Sequence, residues 1–514
     1  LPVVVEECRI AACIHSGTPS AVPTSRKEPI ANVDTAWLRM EQPTNLMMIT
    51  GVIVLDQPVE FEQFREVIAN RFLAFPRFRQ KAVDTARGCW WEEDTNFEIS
   101  SHVRHTALPG KAGKRELEAL CSELASTPLD QTKPLWQFHL IDNYVDGPVV
   151  VSRIHHCYAD GIALVQVMLS LTEDSAEKSK RLVEQEQWKQ RREAESNIFR
   201  RLTAPAKEGF DAMQHLGQKV IDEAMSLIKH PNLASEYAVG AGEIMSELAT
   251  ALLLEDDPPS RFKGELGVRK NVAWASPLDL DEVKAVGKAL GCTVNDVLIA
   301  IMTGALHHYL IDQGDDPSEL TMRATVPVNL RPLEHARDLG NHFGLVFLDL
   351  PIAEANPLAR LYQVAEFMHQ LKSSKQAVMS LGLLAALGMT PGAVQKPALE
   401  LFSRKASTVL TNVPGPQETL YLAGAPLKEM MFWVPQSGSI GMGISILSYR
   451  GQVFCGLIAD QRRIPDPDTV MRHFESEFEH LLNLTLLLGP QEGWVSPDVV
   501  DSVHAWIESD LVDD

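Results

Sequence analysis

PVVVSRIHHCYADGIALVQVMLSL, residues 148–171, passes from a strand pattern to a helix pattern across a single turn. β-branched residues fill its first part, and the apolar spacing of its last ten residues is helical. Successive side chains of a strand point to opposite faces. Val150, Ser152, Ile154 and His156 therefore share one face, and Val149, Val151, Arg153 and His155 the other. His156 is the last strand residue before the turn CYADG. Gly161 is expected to permit the chain reversal into a helix beginning at Ile162. Asp160 stands near that helix N-terminus, where free N–H groups and the dipole favour a carboxylate.

A neutral imidazole held at a strand end is a suitable general base for a hydroxyl or amine nucleophile. The sequence offers no GxSxG elbow, and Cys157 has no evident third group beside it, so direct transfer is expected. There is no HExxH, and the histidine pair does not read as a zinc helix. The bland alternative is a hydrogen-bonded pair in an ordinary turn. Its position at a strand-to-helix junction favours the functional reading. A second pair, His307-His308, has no Asp-Gly behind it and is assigned no role.

The chain has 514 residues, more than one ordinary core accommodates, so two domains are expected. Its apolar content of 45% and charged content of 22% are those of a globular protein. A formal net charge of −21 repels a polyanion, so nucleic acid is not an expected partner. Seven cysteines without zinc spacing read as free thiols in a reducing cytoplasm. No apolar run reaches the length of a membrane span, and residues 378–389 come nearest.

Residues 1–30 turn Ser/Pro/Thr-rich and read as a mobile tail. Residues 31–172 alternate helix and strand patterns, including a helix at 61–75 and strands at 47–55, 135–142 and 148–156. Residues 173–265 are charged and helix-prone, a helical crossing between domains. Residues 266–514 resume the α/β pattern, with two consecutive helices from Asp279 to Leu310, strands at 322–331, 342–351, 407–416, 439–451 and 452–460, and a closing amphipathic helix.

HHCYADG resembles the HHxxxDG motif of the CoA-dependent acyltransferase superfamily. More narrowly, the chain resembles the bacterial wax ester synthase/diacylglycerol acyltransferase family. Pro134-Leu135-Trp136 is similar to that family's PLW motif and Asn295-Asp296 to its ND motif. NLMM, VPVNLR, GNHFG and TNVPGP also look like family segments. The resemblance implies a two-domain, chloramphenicol-acetyltransferase-like α/β fold with an interdomain tunnel and the histidine near its middle. It implies O-acyl transfer from long-chain acyl-CoA, a co-substrate with no bound cofactor or metal, to a fatty alcohol or diacylglycerol. The product is a wax ester or triacylglycerol.

By that resemblance His156 is the base, and Asp160 pairs with an arginine, either Arg331 or Arg153, to fix the turn. His155 is read as either a packing residue or part of the catalytic group. Asn295 is read either as capping the following helix or as stabilising the oxyanion or orienting substrate, with Asp296 beside it. The PLW residues shape the core or tunnel wall. Lys375, Arg404 and Lys405 are candidate partners for CoA phosphates. A cytoplasmic protein, peripheral at the inner membrane face or at lipid inclusions, is expected. Two other functions stay open: condensation with a carrier-linked acyl group, and a non-catalytic lipid-binding relative.

Overall fold

The computed structural model describes residues 27–86, 88–180, 254–330, 339–372, 377, 380, 381, 400–489 and 493–500. Most of the expected tail, most of the expected helical crossing, Arg331, Lys375 and most of 378–389 lie outside the described residues.

In chain order the first half forms β1 (Lys27–Pro29), α1 (Asn32–Met40), β2 (Met48–Leu55), α2 (Phe61–Asn70), β3 (Gln80–Thr85), β4 (Gly88–Glu93), β5 (Val103–Thr106), α3 (Lys114–Ser126), β6 (Trp136–Ile141), β7 (Val149–His155), α4 (Gly161–Ser170) and α5 (Ala176–Lys180). The second half forms β8 (Lys270–Trp274), β9 (Leu278–Asp279), α6 (Leu280–Leu290), α7 (Val294–Asp312), β10 (Met322–Asn329), β11 (Phe343–Leu350) and α8 (Pro357–Lys372). It continues with β12 (Thr408–Pro414), β13 (Tyr421–Leu422), β14 (Ala425–Trp433), β15 (Met442–Tyr449), β16 (Gln452–Asp460) and α9 (Pro467–Leu488). The helix expected over 61–75 stops at Asn70, and two short 3-10 turns at Phe72–Ala74 and Pro76–Arg79 follow.

Two mixed sheets form the framework. The first has the order β13-β14-β2-β7-β6-β5, and the second β11-β10-β12-β15-β16-β8 with β9 beside β16. The first sheet is not built from the first half alone. β14 crosses from the second half and pairs antiparallel with β2, from Leu427 opposite Leu55 to Trp433 opposite Thr50. A register shift at Leu427/Glu429 accommodates the charged pair Lys428-Glu429 in an otherwise apolar strand.

β7 lies between β2 and β6 and is buried along its whole length. Val150 and Ile154 enter one apolar cluster with Phe64, Phe72 and Trp136. Val149 and Val151 enter another with Leu117, Cys121 and Trp433. The alternation read in the sequence is thus the division between two cores.

The helix α7 is long and apolar enough to cross a membrane, and 78% of its most apolar window is buried inside the protein. The expectation that no apolar run reaches that length, with residues 378–389 nearest, is corrected: small and polar residues such as Thr303, Gly304 and His307 break up the apolar run of this 19-residue helix. It packs on α6, α8 and α9. Gly304 lets the buried Arg360–Glu477 ion pair lie against α7, where a Cβ would collide with both side chains. Overpacking of that kind costs about 1–3 kcal/mol, against about 1 kcal/mol gained from alanine's helix propensity. Gly304→Ala is therefore expected to lower the urea midpoint of unfolding. A raised midpoint would contradict this packing.

Candidate active site

His156 continues the strand ladder beyond β7, its backbone N–H donating to the Met47 carbonyl at 2.7 Å. Its side chain is 5% exposed. The ring stacks on the Trp37 indole with centroids 4.3 Å apart and planes 24° from parallel, and Phe343 closes another side at 5.7 Å. Nδ1 is buried with no hydrogen-bond partner among the described residues. Burial pushes the imidazole down to about 4, opposed by the Asp160 charge, which favours the imidazolium. At neutral pH the ring is uncharged and can accept a proton.

The ring lines a cavity that is partly open to solvent. Trp37, His156, Asp160 and Gly161 from the first half meet Phe343, Leu345, Val409, Val413, Val434 and Ile440 from the second. Asn329, Asn412, Thr325, Thr411 and Ser437 add polar groups. A mostly apolar wall with a few polar groups and a perturbed imidazole is what binding and acid–base chemistry on a greasy substrate require.

A strap at residues 339–343 joins the halves over the histidine turn. Gly340 N–H donates to Tyr158 O at 3.1 Å, and Ala159 and Gly340 form a parallel bridge. Asn341 Nδ2 donates both to the His156 carbonyl and to Asp34 Oδ1, each at 2.8 Å. His342 N–H donates to Asp160 Oδ2 at 3.0 Å, while Asp160 Oδ1 caps α4 by accepting from Ala163 N–H at 2.8 Å.

Asp160 thus holds the turn through these two backbone amides, and the expectation of an Arg153 partner is corrected. Arg153 points to the opposite face, where it donates to Gln137 Oε1 at 3.0 Å and to the Thr127 carbonyl. The strand's alternation forces this, since Arg153 and His156 are an odd number of residues apart. The helix begins at Gly161 rather than Ile162, and Gly161 has no left-handed φ. A Cβ there would meet nothing within 4 Å. The glycine leaves open the cavity it lines rather than permitting a turn.

His155 projects to the face opposite His156. Its Nε2 lies 3.1 Å from Glu41 Oε2, and its Nδ1 accepts the Cys157 N–H at 3.1 Å. Burial would raise the Glu41 carboxyl, but His155, the Met47 N–H and the Gln131 amide together outweigh it and the net shift is downward. Cys157 is fully buried, and burial with Asp34 and Glu41 pushes its thiol well up, which disfavours the thiolate nucleophile.

Pro134, Leu135 and Trp136 line the core and not the cavity. Leu135 accepts from His155 N–H at 3.0 Å and donates to the Tyr158 hydroxyl at 3.1 Å, so the segment is a latch for the histidine turn. Trp136 Nε1 donates to Phe78 O at 2.7 Å.

Asn295 does not cap α7. Thr293 is the N-cap and Asp296 closes the capping box, accepting from Thr293 N–H at 2.8 Å. Asn295 is exposed, lies off the cavity wall, and accepts a hydrogen bond from the amide of Asn412, which does line it. Arg404 and Lys405 both pair with Asp256. Among the described residues no group of His, Cys, Asp or Glu is arranged to hold a metal ion.

Sequence reasoning assigned no site role to Asp34, Trp37, Asn341 or Phe343. Asp34 and Trp37 are three apart on α1, a spacing that puts both on one helix face. GNHFG stood out as a segment, but its contact with a turn some 180 residues earlier is not written in local pattern.

Comparison with known proteins agrees with this geometry. Residues 30–298 match the wax ester synthase/diacylglycerol acyltransferase catalytic domain, and residues 339–482 the WS/DGAT C-terminal domain. The chain is 26% identical over 470 residues to the O-acyltransferase WSD of Acinetobacter baylyi, covering 88% of this chain and 96% of that one. It is 28% identical over 476 residues to a Mycobacterium tuberculosis protein assigned as a diacylglycerol O-acyltransferase, covering 88% and 90%. The solved wax ester synthase/diacylglycerol acyltransferase of Marinobacter aquaeolei superposes with a TM-score of 0.62 at 20% identity, over 89% of this chain and all of that one. The starter condensation domain of rhizomide synthetase shares the fold at a TM-score of 0.54 and 13% identity, over 91% and 96%. The two-domain α/β acyltransferase fold is thereby established, and the chain belongs to the wax ester synthase/diacylglycerol acyltransferase family.

Proposed function

We propose that this O-acyltransferase moves a long-chain acyl group directly from acyl-CoA to the hydroxyl of a fatty alcohol or diacylglycerol, with His156 as general base. The observation that carries the reading is a neutral, buried imidazole opening into an apolar cavity walled by both halves.

The acyl chain lies against the apolar wall of Phe343, Leu345, Val413 and Val434, and the acceptor hydroxyl sits against the ring of His156. As the hydroxyl oxygen attacks the thioester carbonyl, its proton passes to the imidazole. The nearby Asp160 charge, itself anchored by two backbone amides, stabilises the imidazolium that forms. When the C–S bond breaks, the imidazolium returns the proton to the sulfur, releasing ester and free CoA.

Trp37 keeps the ring from turning. Asp160 and Gly161 build the turn and the open cavity floor. Asn412, backed by Asn295, is the substrate-side amide that orients the carbonyl or its oxyanion. His155, Asp296 and the PLW residues support this arrangement without touching substrate. Water-insoluble acceptors are met at a membrane or lipid-inclusion surface, and the proposed place of work is peripheral to that surface on its cytoplasmic side. The exposed Leu486, Leu487 and Trp494 are compatible with such contact.

Palmitoyl-CoA supplied with hexadecanol or a diacylglycerol is expected to yield ester and free CoA. His156→Ala should reduce turnover about 10²–10⁴-fold, the usual worth of a positioned base. Unchanged turnover in a folded variant would sink the mechanism. Because burial holds the imidazole at about 4, kcat/KM should stay level from neutral pH downward and fall with an apparent pKa near 4. An acid limb centred near the unperturbed value of about 6.5 would contradict the buried state. Asp160→Ala removes the cap of α4 and the strap's anchor. It is expected to cost about 2 kcal/mol of stability in chemical denaturation, in addition to activity. Full stability would show that the turn does not depend on the carboxylate.

A further inference from the structure

Asp34 is the most unusual carboxyl near the reacting imidazole. It is 5% exposed, sits in the first turn of α1, and accepts both hydrogen bonds described for it at one oxygen. Asn341 supplies both: its backbone N–H at 3.0 Å and its side-chain amide at 2.8 Å. The same amide donates its other hydrogen to the His156 carbonyl at 2.8 Å. One side chain from the second half is therefore pinned by a carboxyl from the first half and in turn pins the backbone of the base. Trp37, one turn further along α1, stacks on the ring of that base. The helix α1 thus controls His156 twice, at its ring through Trp37 and at its backbone through Asp34 and Asn341.

An ordinary buried carboxyl with no chemical task is paired with a cation or replaced by a neutral residue. Here burial pushes Asp34 up to about 7, with Arg77 and the Asn341 bonds acting against it and Asp160 adding to it. A proton on the second oxygen would break neither bond to Asn341, since both are received at Oδ1. The hold on Asn341 therefore persists in either protonation state.

We propose that Asp34 and Asn341 are positioning residues for the acyl-transfer reaction, acting as a clamp between the halves that fixes the backbone of His156 and thereby the aim of its imidazole. The inference rests on His156 being the base. Its consequence is geometric: loosening the clamp leaves substrates bound but moves the imidazole off the line of proton transfer and admits water to it.

The test uses the full chain, with palmitoyl-CoA and whichever acceptor the unaltered protein esterifies. Asn341→Ala removes the clamp and is expected to lower kcat about 10²-fold, the cost of a misplaced catalytic group, with KM for acyl-CoA nearly unchanged. Asp34→Ala removes the acceptor oxygen that pins Asn341, and a loss of kcat of the same order, about 10²-fold, is expected. In both variants the acid limb of kcat/KM should move upward as the imidazole regains water. A smaller folded fraction would lower the apparent kcat without moving that limb. The titratable groups around the imidazole are Asp34 on α1, His155 on β7, Asp160 at the start of α4 and His342 on the strap. Asp34 is substituted in one variant and retained in the other, so a limb that moves in both reports the clamp and not the lost carboxyl.

Should Asn341→Ala fail to fold, Asp34→Ala decides by the same two readouts. An unmoved acid limb and kcat within about twofold of the unaltered protein, in the folded variants, would overturn the positioning role while leaving His156 as base. Absence of turnover in the unaltered protein would overturn the function on which the inference stands, and the inference with it.

Discussion

A strand buried on both faces has no tolerance for unpaired polar groups, and β7 carries four polar residues into that position: Ser152, Arg153, His155 and, one step beyond, His156. Much of the surrounding architecture answers that constraint. Arg153 is met by Gln137 and the Thr127 carbonyl, and His155 by Glu41 and the Cys157 amide. Where His155 Nε2 has the Glu41 carboxylate 3.1 Å away, His156 Nδ1 is buried with no hydrogen-bond partner among the described residues. Its environment is instead aromatic and apolar, and that holds the ring neutral. Satisfaction on one face and its withholding on the other separate a structural imidazole from a reactive one.

The two halves are bound by exchange as well as by contact. β14 completes the first sheet, while the 339–343 strap closes over the turn that ends β7. Asn45 adds a further link, its amide donating to the Gly438 and Ile440 carbonyls at the far side of the cavity. A cavity whose walls come from both halves can keep its shape only if the halves are registered, and these links are short, polar and directional. The apolar wall supplies room for a chain; the polar links fix where the base stands beside it.

Much of this was legible in sequence because it is local. The alternation through Val149–His156 and the Asp160 cap depend on residues a few positions apart, and periodicity or capping chemistry finds them. What was not legible is long-range. APLKEMMFW shows no clean alternation, and its pairing with β2 depends on a bulge that no local pattern announces. Arg153, one of the two arginines expected for Asp160, points to the opposite face, and the backbone amides that Asp160 accepts from carry no side-chain signature. The capping alternative for Asn295 fails for a related reason: a TxND segment shows that a helix starts, but which of its residues caps depends on the register of the first turn. Asp34, Trp37 and Asn341 join a site only once α1 and the strap are brought against the turn.

The central claim is direct transfer by a buried base, with no acyl group held covalently on the protein. The most direct measurement is the intact mass of the chain after incubation with long-chain acyl-CoA and no acceptor. The account predicts an unchanged mass, with CoA released only when an alcohol or diacylglycerol is added. A protein heavier by one acyl group, mapped to Cys157 or to a serine of the cavity, would contradict it.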